Sequence, residues 1–137
     1  MTSDAFKRSL KTHQEKGFFK NLKILRGIER ESLRVTQEGK ISQKNHPANL
    51  GAPLTSKDIT TDFAEALVEL VTPTFESAEE LFGHLSLLHK FLYSQMGEEI
   101  LWNFSMPCAF QNEQEIKIAE YGKTNSGLLK HIYRKGL

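Results

Sequence analysis

Two glutamates stand two residues apart in a stretch with the character of a β-strand. Residues 27–35 read GIERESLRV, and a single arginine separates Glu29 from Glu31. In a strand, residues i and i+2 point to the same face of the sheet. Adjacent carboxylates repel each other unless a cation lies between them, and Mg²⁺ is bound in proteins through one or two carboxylates plus nucleotide phosphates. The spacing therefore fits two interpretations: a divalent-cation site, or a solvent-facing charged row on a half-buried strand.

A third carboxylate, Glu69, lies in a strongly apolar segment. Residues 59–73 read ITTDFAEALVELVTP, and Glu65 and Glu69 are four residues apart, as on one face of a helix. The run LVELV followed by proline is more typical of a buried strand, which we predict from about residue 66 to 72. An unpaired charge is costly in such a strand. Glu69 is therefore expected to have either an arginine partner or a metal ion.

The elements that must position these residues begin with a helix. Ser3 or Asp4 can cap a helix that continues to about Gln14, with Phe6 and Leu10 on its inner face. Gly17 ends this helix, and an apolar stretch leads from there into the strand of residues 27–35.

The remaining chain alternates between loops and short regular elements. A turn at residues 38–39 returns the chain as a short hairpin arm, and residues 43–57 have the composition of a loop. Ser77 and Glu80 form a capping box at the start of the clearest helix, which ends at Gly97. Alternation then predicts a strand over residues 100–104, with Trp102 in the core. A last helix carries apolar residues on one side and basic residues on the other. These residues are Leu128, Leu129, Ile132 and Tyr133 on the apolar side and Lys130, Arg134 and Lys135 on the basic side.

Bulk composition indicates one ordinary domain. The chain has 137 residues, a net charge of +1 and 26% charged residues, so it has neither the basic excess of a nucleic-acid binder nor a long like-charged tail. No apolar run reaches the ~18 residues that span a membrane, and the charged N-terminus is not a signal peptide. The single cysteine, Cys108, suits a reducing compartment. We therefore expect a cytoplasmic protein that binds neither nucleic acid nor membrane. It has no phosphate-binding glycine motif of the P-loop or Rossmann kind.

Six segments, taken in order, resemble those of proteobacterial glutamate–cysteine ligases. They are residues 27–35, 59–69, 96–99 (MGEE), 105–108 (SMPC), 121–127 (YGKTNSG) and 133–137 (YRKGL). The resemblance implies an α+β fold like that of glutamine synthetase, with a largely antiparallel, curved sheet and flanking helices. Family members are much longer, so residues 1–137 are expected to be the N-terminal part of the catalytic domain and the sheet to be incomplete.

The resemblance also implies a reaction. Members of the family join the γ-carboxylate of L-glutamate to the amine of L-cysteine, with ATP as substrate and Mg²⁺ as cofactor, in the first step of glutathione synthesis. The γ-carboxylate is phosphorylated, and the amine attacks the resulting acyl phosphate. Metal ions neutralise the charge that otherwise separates a carboxylate from a triphosphate. Both nucleophiles come from the substrates, so no catalytic side chain is predicted, and Cys108 is expected to serve packing.

Site residues follow from the resemblance by position. The expected metal ligands are Glu29, Glu31 and Glu69, with Asp62 as a further candidate. The expected cysteine pocket includes Phe63, Tyr133 and Leu137. Residues 105–108 are expected to border the substrate cleft, and Glu65 fits its motif but has no assigned role.

Two alternatives remain open. Because the later strands, further metal ligands and ATP-binding basic residues of the family are missing, the chain is expected to be poorly active alone, and it could be a non-catalytic remnant. It could also belong to a related carboxylate–amine ligase that uses another amine, although the presence of Phe63 and Tyr133 argues against this.

Overall fold

A four-stranded antiparallel sheet forms the centre of the computed structural model, which describes residues 3–136. Its strands are β1 (Glu29–Val35), β2 (Ile59–Thr61), β3 (Leu67–Val71) and β4 (Ile100–Trp102). They lie side by side in the order β2-β3-β1-β4. Three helices accompany the sheet: α1 (Ser3–Glu15), α2 (Ala78–Met96) and α3 (Asn125–Lys135). The predicted α+β class is confirmed.

The register of β1 and β3 places the predicted carboxylates on one face of the sheet. Glu31 is directly opposite Glu69, and Glu29 is opposite Val71. Opposite residues in an antiparallel pair point to the same face, so all three glutamates share a face. We call the surface formed by Glu29, Glu31 and Glu69 the carboxylate face.

Helix α2 covers the other face of the sheet. It begins as predicted at Ser77, whose hydroxyl accepts hydrogen bonds from the backbone amides of Glu79 and Glu80, and it ends before Gly97 in a positive-φ conformation. Its inner residues pack with the strands in a core of eight buried side chains. These are Leu50, Ile59, Val68, Leu70, Leu85, Leu92, Met96 and Leu101.

A second, smaller core lies at the far end of β1. The chain turns at Gly39 and returns beside Val35, as the predicted hairpin arm requires, with a β-bridge between Val35 and Ile41. Val35 and Ile41 pack there with Ala66 and Cys108, and Trp102 is half-buried against them. The indole of Trp102 donates a hydrogen bond to the carbonyl of Met106. Its predicted role in the core is therefore confirmed.

The prediction for α1 is right in extent but wrong in packing. The helix spans Ser3–Glu15, and Gly17 follows it with φ 69°. None of its residues is buried, and Phe6 and Leu10, the expected inner face, are 59% and 45% exposed. No residue of α1 belongs to either of the two buried cores. The apolar side of the helix therefore stays in contact with solvent.

Two strands differ in extent from the sequence prediction. The β3 strand matches its prediction within one residue at each end, but Ile59–Thr61 forms the separate strand β2, which pattern alone missed. The last strand ends at Trp102, and Phe104 is 67% exposed. Residues 43–57 are irregular except for a short 3₁₀ turn at Ala48–Leu50.

Helix α3 turns its basic side toward the sheet. Arg134 forms an ion pair with Asp62, and the Lys130 ammonium lies 4.7 Å from the centre of the Tyr121 ring. The predicted apolar side is the exposed one, and Tyr133 is 82% exposed. This orientation places two cations beside the carboxylate face. Within the described residues, no helix is long and apolar enough to cross a membrane.

Candidate functional site: a carboxylate face with a basic edge

The sheet brings the three predicted glutamates together. Glu31 and Glu69 are cross-strand partners, and Thr60 of β2 is the partner of Glu69 on its other side. Directly opposite residues have Cβ atoms roughly 4.5–5.5 Å apart, so the Glu31 and Glu69 side chains are close neighbours. Glu29 lies one step along the same face of β1. Glu29 and Glu31 are exposed and Glu69 is half-buried.

The electrostatics of Glu69 reflect this arrangement. Burial raises the pKa of Glu69 above its ordinary value, and the carboxylates of Asp62, Glu31 and Glu29 raise it further, whereas Lys130 opposes the shift. Three of the acidic residues chosen from the sequence therefore act on the fourth, Glu69. Their mutual repulsion is what a bound cation relieves.

Asp62 is already paired with a basic residue. Its carboxylate accepts a hydrogen bond from the Arg134 guanidinium, and this bond is the main reason why the pKa of Asp62 lies below its ordinary value. The guanidinium also lies 5.8 Å from the centre of the Phe63 ring. Asp62 is thus the acidic residue that connects α3 to the carboxylate face.

The donor chemistry of the carboxylate face fits a hard divalent cation. All candidate ligands are carboxylate oxygens, the type that Mg²⁺ prefers, and Mg²⁺ completes its sphere with waters and substrate phosphates. Among residues 3–136, no group of three or more His, Cys, Asp or Glu side chains is arranged to hold a metal ion. The residues therefore fit as a partial donor set, to be completed by phosphate or water oxygens, and not as a closed protein cage.

The residues expected in a cysteine pocket lie on two segments that meet at Arg134. Phe63 follows Asp62 and is 48% exposed, and Tyr133 precedes Arg134 on α3. The Arg134 ion pair therefore ties together the segments that carry the two aromatic residues. Leu137, the third expected residue, lies outside the described part of the chain.

Sequence reasoning missed a buried ion pair. Arg34 is 0% exposed, and its guanidinium donates to both carboxylate oxygens of Glu99 at 3.1 Å. Ser42 also donates a hydrogen bond to Glu99. Local pattern gave no signal for this ion pair, because Arg34 shares with Arg30 and Ser32 a strand face whose sequence is polar, although Ser32 and Arg34 are both buried.

Cys108 is a packing residue, as predicted. Its side chain is 4% exposed and belongs to the smaller core. Burial raises the pKa of its thiol, which keeps it protonated and unreactive at neutral pH.

The surface of residues 3–136 includes a groove and a larger cleft. A groove of about 390 Å³ lies beside Glu29 and is lined by residues 27–29, 71, 72 and 74. A larger cleft of about 690 Å³ lies at the hairpin arm, with Lys40, Glu98 and Phe110 among its lining residues. Residues 105–108, expected to border the substrate cleft, line neither of these two regions.

Comparison with known proteins identifies the family. The model of the family described as glutamate-cysteine ligase matches residues 8–137. The chain belongs to the glutamate–cysteine ligase family. A glutamate–cysteine ligase of Pseudomonas putida (strain W619) is 51% identical over 113 residues, which are 82% of this chain and 22% of that protein. A Bordetella petrii glutamate–cysteine ligase is 49% identical over the same length, 82% of this chain and 21% of that one.

Solved structures of this ligase family and of a bifunctional relative have the same fold. The crystal structure of a Francisella tularensis glutamate–cysteine ligase in complex with AMP matches with a TM-score of 0.79 and 46% identity, over 82% of this chain and 23% of that one. A bifunctional glutathione synthetase from Pasteurella multocida matches with a TM-score of 0.65 and 38% identity, over 69% of this chain and 13% of that one. The chain thus spans about a fifth of the length of the curated ligases that it matches.

Proposed function

We propose that this chain supplies the metal-binding and phosphate-facing part of an ATP-dependent ligase that joins L-glutamate to L-cysteine. The observation that carries the proposal is the pairing of Glu31 with Glu69 on a face that also holds Glu29. Family membership and about 50% identity to named glutamate–cysteine ligases support the choice of reaction. The proposed site of the reaction is the cytoplasm, which suits a chain whose single cysteine is free.

Glu29, Glu31 and Glu69 would hold Mg²⁺, with Asp62 at the margin of the set. The ion would neutralise charge on the triphosphate so that an anionic carboxylate can approach it. The chain's own carboxylates supply fixed negative charge on a rigid sheet, which sets where a phosphate group can lie. The γ-carboxylate of glutamate would attack the terminal phosphorus of ATP and release ADP, and the cysteine amine would then displace phosphate.

Helix α3 would supply the other side of the site. Lys130 and Arg134 lie beside the carboxylate face, where positive charge favours anionic substrate groups. Phe63 and Tyr133 offer exposed aromatic surface next to this basic edge. Such a surface suits the compact, apolar side chain of cysteine, so we place the cysteine pocket here, with Leu137 as its third member.

A chimaeric ligase tests this function. The chain is continued by the C-terminal remainder of the P. putida relative, and ADP release is measured with ATP, Mg²⁺ and glutamate, with and without cysteine. We expect cysteine-dependent ADP release and γ-glutamylcysteine formation in the chimaera and little or none with the 137-residue chain. The double variant Glu29→Gln/Glu31→Gln should abolish Mg²⁺-dependent turnover, while Glu113→Gln, at an exposed position in the 3₁₀ turn Glu113–Glu115, should not. Turnover that survives the double variant would refute the metal assignment.

The second candidate is a folded chain without turnover. The chain spans about a fifth of the length of its relatives. This short span favours the second candidate for the 137 residues by themselves. Absence of activity in the chimaera, together with Mg²⁺ binding by the chain, would support it. A preference of the chimaera for another amine over cysteine would support a related ligase instead.

A further inference from the structure

The Glu65 carboxylate connects two segments that are distant in sequence. It is 6% exposed, and each of its oxygens accepts a hydrogen bond from a backbone amide. One oxygen accepts from His46 at 2.7 Å and the other from Glu120 at 2.9 Å. Each oxygen of this buried carboxylate is bound to a different segment, so the side chain holds the two backbone amides at a fixed distance from each other.

On one side, the connection continues into a strand-like pairing. Residues 117–121 run beside residues 61–65. The Glu65 amide donates a hydrogen bond to the backbone carbonyl of Lys117 at 2.8 Å, and the Ala119 amide donates one to the backbone carbonyl of Phe63 at 3.0 Å. The Tyr121 hydroxyl donates to the carbonyls of Thr61 and Asp62. The segment before α3 is therefore attached along its length to the segment before β3.

Helix α3 in turn rests on Tyr121. A Cβ at Gly127 would clash with the Tyr121 carbonyl oxygen, so the helix packs directly against this carbonyl and leaves no room for a side chain. The Lys130 ammonium lies 4.7 Å and the Arg134 guanidinium 5.7 Å from the centre of the Tyr121 ring. The position of α3 therefore follows the position of residues 120–121.

On its other side, the connection reaches the loop of residues 43–57. The Arg34 guanidinium donates to the carbonyls of Lys44 at 3.0 Å and Glu65 at 2.8 Å, so the loop and Glu65 share one buried cation. The His46 amide then binds the Glu65 carboxylate. Loop and helix are thus both attached to one side chain, four residues before Glu69.

We infer that Glu65 is a positioning residue that holds α3 and the His46 loop in place relative to the carboxylate face. Through Glu120 and Tyr121 it sets where Tyr133 and Arg134 stand, and both of its carboxylate oxygens are already bound to backbone amides. Its loss should therefore impair the binding of the amine substrate more than phosphoryl transfer. Only this kinetic consequence rests on the proposed function.

Hydrogen exchange in the 137-residue chain tests the structural part without any activity. In Glu65→Gln, an amide NH₂ replaces one acceptor oxygen and faces a backbone N–H. We expect the amides of His46, Glu120 and α3 to exchange about tenfold faster or more, with β1, β3 and α2 unchanged. The matched control is Glu115→Gln, because one Glu115 carboxylate oxygen accepts the Gln111 amide at 3.1 Å in the same way; it should leave α3 unchanged. Unchanged exchange in α3, or a uniform increase over the whole chain, would overturn the inference.

A second variant tests the same connection without altering Glu65. Tyr121→Phe removes the hydroxyl bound to the carbonyls of Thr61 and Asp62, one step closer to α3. The amides of α3 should then exchange faster, while the His46 amide should not change. If α3 were unaffected, the proposed route through Tyr121 would be wrong, even if Glu65→Gln failed to fold.

Kinetics of the chimaera test the positioning role. Glu65→Gln should raise the KM for cysteine about fivefold or more and change the KM for ATP and the kcat less than about twofold. An equal loss for all substrates would overturn the positioning role. If the unaltered chimaera showed no turnover, the proposed function would fail while the exchange results would still decide the role of Glu65 in holding α3.

Discussion

Glu31 on β1 and Glu69 on β3 are directly opposite partners in the sheet, so two negative charges occupy one cross-strand pair. Like charges directly opposite each other destabilise a sheet. Burial raises the pKa of Glu69, and the carboxylates of Asp62, Glu31 and Glu29 raise it further, so both effects disfavour its charged form. The pair costs stability in the protein without a cation, which points to a role in binding one.

The first prediction concerns Glu69→Gln in the chain alone. Without metal and at neutral pH, the variant should be more stable than the parent, because a neutral amide escapes the repulsion. Mg²⁺ at ten times the Kd of the parent for this ion should raise the Tm of the parent by about 3–5 °C. The same concentration should not raise the Tm of the variant. Thermal unfolding in EDTA and in Mg²⁺ measures both effects. Equal stabilisation of both proteins by Mg²⁺ would contradict the assignment of Glu69 as a ligand.

The second prediction concerns the buried pair of Arg34 and Glu99. Glu99→Gln should destabilise the chain by about 3–5 kcal/mol, because it leaves the fully buried Arg34 without its counter-charge. The matched control is Glu76→Gln, which breaks the exposed pair of Lys23 and Glu76, bound at 2.8 Å, and should cost less than about 1 kcal/mol. Urea denaturation gives both values. Similar losses in the two variants would show that burial does not decide the strength of these pairs.

The third prediction compares two helix glycines. Gly127→Ala places a methyl group 2.4 Å from the Tyr121 carbonyl oxygen, so α3 must shift, at a cost of about 1–3 kcal/mol. Gly83→Ala in α2 meets no atom within 4 Å and should stabilise the chain by about 0.5–1 kcal/mol, since alanine favours a helix. Denaturation curves should therefore move in opposite directions. A stable Gly127→Ala variant would mean that α3 does not rest on Tyr121.

The fourth prediction concerns pH. Burial, followed by the positive charge of Arg34, lowers the pKa of His46 below 6.5, and Glu65 partly opposes this shift. The unfolded chain therefore takes up a proton on His46 before the folded chain does, so this residue makes stability fall as the pH drops below 6.5. His46→Gln removes that contribution, and the parent and variant curves should diverge below pH 6.5 and run parallel above pH 7.5. Curves with the same slope throughout would contradict the prediction.

Sequence reasoning located the carboxylates because their pattern is local. A period of two fixes which residues share a strand face, and this was enough to group Glu29 with Glu31 and to mark Glu69 as exceptional. It did not give the pairing of Glu31 with Glu69, because the register of two strands separated by a long connection depends on the packing of the whole sheet. Strand β2 was missed for a different reason, because its three residues carry too little pattern.

The partners of the buried charges were beyond local pattern. Arg34 and Glu99 are 65 positions apart in the chain, and Asp62 and Arg134 are 72 apart. Amphipathic spacing also predicted an inner face for α1, but such spacing shows only that a helix has an apolar side, not that a surface exists to receive it. The exposure of Phe6 and Leu10 is the result.

The sheet order β2-β3-β1-β4 has a consequence for synthesis. Strands β1–β4 of the described residues all lie before residue 103, so the partners Glu31 and Glu69, and Arg34 and Glu99, leave the ribosome before α3 does. The N-terminal part of a chain is the first to be free to fold during synthesis. The carboxylate face would therefore form first on the nascent chain, and α3, with its basic residues, would pack against the folded sheet later.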